Sequence, residues 1–446
     1  APSTTATNTG PVTYEISYAD VGSGLAPIAL NGGLVTLDKT GTADGSVDVA
    51  NGPSSSIVTI SNITGEGTLG ITLGTGAAVD ISGNTSAVSG PSATFVVDNT
   101  APTLAFSAPS DTWTTAGPIT YTVSFTDTSS GVNAVNLTND MVVLNMTGTA
   151  RGDVSVSGAG LASRTVTVDN ITGNGSLSLY IDEGAAVDRA GNVSAASGVS
   201  STAFSVDNRG PDIEISAPSA LYWRTGQPNI TYTVTYSDVA GVAGITLANG
   251  DVTLLRTGTA NATAVSVSNP GIPNTRRVTL SGMSGDGTLS ISLGANTATD
   301  LTGNSSLGTD ESQPVTIDNT PVGVTIGAPS VTATRIGPVT YTVTYDGASS
   351  ITLASGARVG NVFGDITLVR TGTADATGVS VSTSSPTTRT VAITGTSGGG
   401  TLGISIASNT ASDAAGNGAV APAASTTFSV DNVPPTVSSI TPQANA

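Results

Sequence analysis

The chain has 446 residues, of which 31 are Asp or Glu and 13 Lys or Arg, giving a formal net charge of −18 at pH 7. That balance argues against phosphate backbones and anionic membranes as partners, so nucleic acid is excluded and divalent cations are the natural counter-ions. There is no Cys, no His and one lysine, Lys39, so disulfides, thiolates and imidazole bases are absent and the common ways of activating a nucleophile are closed.

Helix formers such as Glu and Lys are scarce beside Thr, Ser, Gly and Val, which predicts an all-β chain of strands and turns. No apolar run is long enough to span a bilayer as a helix, so membrane insertion is not expected. A start at Ala1-Pro2, without Met or a basic-apolar leader, reads as the mature product of a removed signal peptide and hence an exported protein.

One pattern recurs four times, about 110 residues apart. The opening stretch Ala1 to Pro11 stands where the second copy has Ala101 to Pro118, and it lacks that copy's first apolar run. Next come GPVTYEISY from Gly10 and its counterparts GPITYTVSF, QPNITYTVTY and GPVTYTVTY, alternations that read as half-buried strands. TGTA follows at Thr40, Thr147, Thr257 and Thr371, a tight turn closing another run.

A further strand then meets a glycine corner and continues, as in VTISNITGEGTLGITL; the corner is either a β-arch between sheets or a hairpin. D-x-x-G-N appears at Asp80, Asp188, Asp300 and Asp413, where a Gly-Asn pair favours left-handed backbone. The unit closes on VDN or IDN, with Asp98, Asp207, Asp318 and Asp431 at its centre.

In the second copy seven strands are expected: Thr103–Ser107, Thr120–Phe125, Met141–Met146, Asp153–Ser157, Thr165–Val168, Ser176–Ile181 and Thr202–Val206. Seven short strands at this spacing describe an immunoglobulin-like sandwich without the antibody Cys…Trp…Cys hallmark. The expected domains are residues 1–100, lacking the first strand, then 101–209, 210–320 and 321–433, with residues 434–446 as a tail.

The succession of TGTA, G-x-G-[ST]-L, D-x-x-G-N and V-D-N-T-A-P resembles the bacterial Ig-like repeats of long secreted adhesins and cell-surface filaments. The resemblance covers essentially the whole chain. It implies four tandem Ig-like domains forming an elongated rod, extracellular display, and calcium at domain junctions.

The acids recur once per repeat at equivalent loop positions, which reads as structure and not as the opposed carboxylate pair of a glycosidase; no enzyme activity is expected. In a sandwich of this type the linker Asp faces two loops of the next domain. That brings together Asp98, Asp127, Asp188 and Asn192 at the first junction, and Asp207, Asp238, Asp300 and Asn304 at the second. The third gathers Asp318, Asp346, Asp413 and Asn417. Such oxygen sets suit Ca²⁺; side-chain-to-backbone turns are the alternative.

Trp113 and Trp223 are placed in loops, either plugging the end of their own sandwich or meeting glycans, cell surfaces or neighbouring filaments. Two functions remain open: a structural subunit that polymerises head to tail with identical subunits, or a stalk segment of a longer surface adhesin serving attachment or biofilm formation. In the first, the tail (Pro434, Pro435, Thr436, Val437, Ser438, Ser439, Ile440, Thr441 and Pro442) fills the missing first-strand slot of the next subunit by donor-strand complementation. Docking would set Asp431 beside Asp20, Asp80 and Asn84, rebuilding a junction. The internal copies carry apolar residues two apart, whereas the tail has Val437 and Ser439 with Ile440 one position late, so the strand bulges or domain one accepts a different register.

Overall fold

A computed structural model describes residues 1–441. It is all-β: among the described residues the only helical segments are short 3-10 turns, such as Asn139–Met141. The chain divides into two compact units, one spanning Ala1–Arg209 and one beginning at Gly210. Each unit contains two separate apolar cores, one for each copy of the sequence pattern.

The second copy shows the architecture. One sheet runs Thr103–Phe106, Ile119–Thr126, Ser163–Thr172 and Arg151–Ser157; the facing sheet runs Trp113–Thr114, Phe204–Val206, Gly175–Ile181 and Val142–Met146. Ile119, Tyr121, Val123 and Phe125 are buried, while the threonines and serine between them point outward, as period-two alternation requires. The result is an immunoglobulin-like β-sandwich. Thr103–Phe106 will be called the leading strand and Ile119–Thr126 the tyrosine strand.

The seven expected strands are all present with shifted ends, and three short pieces are added. Trp113–Thr114 pairs parallel with the last strand, and Val132–Val135 pairs with Ala186–Asp188. Trp113 therefore lies on a half-buried strand, and Trp223 is buried with its indole N–H donating to the carbonyls of Gln227 and Pro228. The Trp223 ring joins the core of its own sandwich, and Trp113 stays half-buried on its short strand.

The glycine corner is an arch, because its two strands belong to facing sheets. It locks against the TGTA turn. Gly65 and Gly67 sit at φ +81° and +141°, and a Cβ on either would lie 2.0–2.1 Å from the carbonyl oxygen of Thr42 or Thr40. Thr42 N–H donates to the Glu66 carbonyl at 2.8 Å, and Thr68 N–H donates to the Thr40 hydroxyl at 2.8 Å. The Asn of each VDN triplet covers the same corner: Asn99, Asn208, Asn319 and Asn432 donate to the carbonyls of Gly65, Gly173, Gly285 and Gly398.

A tyrosine ties the two sheets in every copy. Tyr14, Tyr121, Tyr232 and Tyr341 donate across the core to the carbonyls of Ala93, Thr202, Gln313 and Thr426 at 2.8, 2.6, 3.2 and 2.9 Å. The fourth copy adds a hairpin, Arg358–Val359 with Val362–Phe363, on the edge of Ile366–Arg370. Arg358 holds it through two 2.8 Å bonds to Asp375 and by lying 5.5 Å above the Phe363 ring.

Candidate functional site

Two features of the chain are candidates: the acidic junctions and an incomplete sheet. At the first junction Val97 ends the last strand in the core, and Asp98 follows with its N–H donating to Thr7 O. The Asp98 carboxylate accepts from Thr100 N–H and, at 2.9 Å, from Ser130 N–H in the loop after the tyrosine strand. Asp127 folds that loop by accepting from the N–H groups of Ser129 and Gly131. Asp188 accepts from Asn192 N–H and Nδ2, and Asn192 Nδ2 also reaches Asp98 O at 2.8 Å. Asn8 Nδ2 donates to Asn192 Oδ1 at 3.0 Å.

One carboxylate oxygen from each of Asp98, Asp127 and Asp188 lies within 4.8 Å of the others, and Asp98 and Asp188 are 0% and 1% exposed. Unit charges at this spacing repel by about 3–4 kcal/mol per pair at an effective dielectric of about 20. Oxygens bound to one Ca²⁺ at about 2.3–2.6 Å are separated by at most about 5 Å. The set therefore fits a hard divalent cation. Ser130 adds a buried hydroxyl without a hydrogen-bond partner, and Arg189, with Nη1 3.5 Å from Ser130 O, is the nearby cation.

The other acids make the same turns. Asp20 accepts from Gly22 and Gly24 N–H, and Asp80 from Asn84 N–H and Nδ2. The Asn84 side chain is the chief cause that holds the Asp80 carboxyl below the usual carboxylate value. Asp207 accepts from Arg209 N–H and Asp238 from Ala240 N–H. Burial pushes the Asp300 carboxyl up, but hydrogen bonds from Asn304 and Thr302 outweigh it and leave it lowered.

At the third junction Asn417 Nδ2 bridges Asp413 Oδ2 and Asp318 O at 2.8 and 2.9 Å. Asp346 departs from the expected arrangement. It ends its strand opposite Gly323, the register position of Thr126 and Ser237, so Gly347 and not Asp346 corresponds to Asp127. No three-carboxylate group forms there among the described residues. Asp431 accepts from Val433 N–H.

The incomplete sheet is in the first copy. Its tyrosine strand, Val12–Ser17, is at the edge of a three-stranded sheet, whereas the other copies have four strands with a leading strand outside. Ser3 closes one half of that edge, donating its N–H to Thr13 O. From Glu15 onward no strand among the described residues pairs with it. Tyr18 and Ile16 are only half-buried, yet their counterparts Phe125, Tyr236, Tyr345 and Val123, Val234, Val343 are at most 3% exposed. Residues 431–441 carry no regular secondary structure, and Val433, Val437 and Ile440 are 75%, 81% and 89% exposed. Pro442 lies outside the described residues.

No family model matches the chain. No curated protein matches it in sequence. Solved structures that overlap it include an Escherichia coli adhesin, FdeC, at 14% identity over 74% of this chain and 96% of that one, with a TM-score of 0.31. The I9–I11 tandem of titin overlaps at 11% identity over 73% and 98%, TM-score 0.24, and domains 1–6 of the surface-layer protein SbsC at 15% over 91% and 63%, TM-score 0.17. Overlaps at scores this low say nothing of what the chain does. No described helix is long and apolar enough to cross a membrane.

Proposed function

We propose that the chain is a structural subunit of an extracellular filament, in which Pro434–Pro442 of one copy supplies the missing leading strand of the first repeat in the next. The observation that carries this reading is the open edge at Glu15–Tyr18, where Ile16 and Tyr18 are only half-buried in positions that every complete copy buries fully. A strand added there would bury Val437, worth about 1.5–3 kcal/mol, and satisfy main-chain groups at about 0.5–1.5 kcal/mol per hydrogen bond. A head-to-tail contact of this kind is heterologous and propagates as an open filament.

At the first junction Asp98, Asp127 and Asp188 would hold Ca²⁺, which would neutralise their mutual repulsion and clamp the linker to both loops of the second repeat. Calcium should raise the melting temperature of the parent chain, and Asp127→Asn should remove most of that rise.

Assembly is tested by deleting residues 434–446 and, separately, by fusing that segment ahead of Ala1 so that the first repeat completes itself. Both proteins should stay monomeric by light scattering and electron microscopy while the parent forms filaments. If the truncated chain still assembles, the donor-strand reading is wrong, and the surface-stalk reading takes its place.

A further inference from the structure

The open edge supports a finer reading that rests on the donor-strand proposal. We infer that Thr436–Ser439 of a second copy lies antiparallel to the tyrosine strand of the first repeat, with Val437 opposite Tyr18 and Ser439 opposite Ile16. The Ile16–Ser439 pair makes this segment specific for the first repeat.

The complete copies give the register. Their leading strands Thr103–Phe106, Asp212–Ile215 and Gly323–Ile326 each begin five residues after the linker Asp. The first inward residue faces the last aromatic of the tyrosine strand: Leu104 opposite Phe125, Ile213 opposite Tyr236, Val324 opposite Tyr345. The second faces a valine: Phe106 opposite Val123, Ile215 opposite Val234, Ile326 opposite Val343. The same count from Asp431 starts the strand at Thr436 and turns Val437 and Ser439 inward. Ile440 then points outward beside Glu15, by alternation.

Ser439 looks deficient only against the other copies. Where they place a valine to receive Phe or Ile, the first repeat has the larger Ile16. On the far side of that residue, Arg164, Arg276 and Arg389 are replaced by the buried Ser56, and the Tyr18 hydroxyl reaches this serine at 3.1 Å. Apolar bulk has moved from the entering strand to the receiving one, and a serine fits where a phenylalanine would overpack. The tyrosine strands of the complete copies are two residues longer than Val12–Ser17, so entry of the donor also draws Tyr18 and Ala19 into the sheet.

The chain has no cysteine, so disulfide mapping starts from a clean background. Directly opposed antiparallel residues come close enough to be bridged. Full-length chain carrying Ile16→Cys and Ser439→Cys, oxidised after assembly, should give an intersubunit ladder on non-reducing gels; Ile16→Cys with Ile440→Cys should not. If Ile440→Cys cross-links in place of Ser439→Cys, the register is wrong while donor-strand assembly stands. If neither pair cross-links in filaments, both readings fall. Ser439→Ile alone should raise the critical concentration for assembly at least tenfold, with Ile16→Val restoring it; assembly as good as the parent's for Ser439→Ile alone overturns the exchange of bulk.

Discussion

Tyr121 joins its two sheets through a hydroxyl that donates to Thr202 O at 2.6 Å, and Tyr14, Tyr232 and Tyr341 do the same in the other copies. Burial is the main cause that raises the pKa of all four phenols above 10.0, and it also raises Tyr236 and Tyr345. A proton held more tightly in the folded chain stabilises it fully below pH 10, and that contribution is lost as pH rises from the unfolded value through the raised folded one. The melting temperature should therefore fall above pH 10, with tyrosinate absorbance from these residues lagging until the chain unfolds; early ionisation without unfolding would contradict it. Tyr121→Phe removes the 2.6 Å bond and leaves Thr202 O with only the Ser201 hydroxyl at 3.3 Å, and it should cost about 1 kcal/mol in a denaturant titration.

Among the elements, the arch formed by the TGTA turn and the glycine corner has the least room for change. Gly65→Ala would force a Cβ to 2.0 Å from Thr42 O at φ +81° and should destabilise the first repeat by about 2 kcal/mol or more. Gly160→Ala, at φ +92° with nothing within 4 Å, should cost about 1 kcal/mol. Equal losses at the two sites, read by thermal melting, would show that contact with Thr42 is irrelevant. The strands were legible in the sequence because Tyr121, Val123 and Phe125 alternate with small polar residues, a period that only a half-buried strand produces. The arch was not separable from a hairpin, since the same glycines serve both; which sheet each strand joins is decided by tertiary pairing. Trp113–Thr114 escaped notice because a two-residue parallel pairing leaves no period. At the junctions, Asp98, Asp127 and Asp188 could be grouped by counting from repeated landmarks. Asp346 could not be placed that way, because a shorter loop moves the acid onto the strand and only the pairing with Gly323 reveals it.

In the molecule as a whole, among the described residues, three copies of the pattern carry a leading strand and the first does not, and residues 431–441 lie outside any strand; in the proposed assembly the one would supply the other. That asymmetry has a chemical meaning beyond adhesion between subunits. A filament built this way is polar: one terminus displays an empty slot lined by Ile16 and Tyr18, the other a naked tail with Val437 exposed. On finished filaments separated from free subunits, a soluble peptide of residues 431–446 would find only the slot terminus free, so one molecule per filament would suffice to block addition there while the opposite terminus stayed available for anchoring. Added during assembly, the peptide would also fill the slots of free subunits, and filament length would then follow the ratio of peptide to subunits.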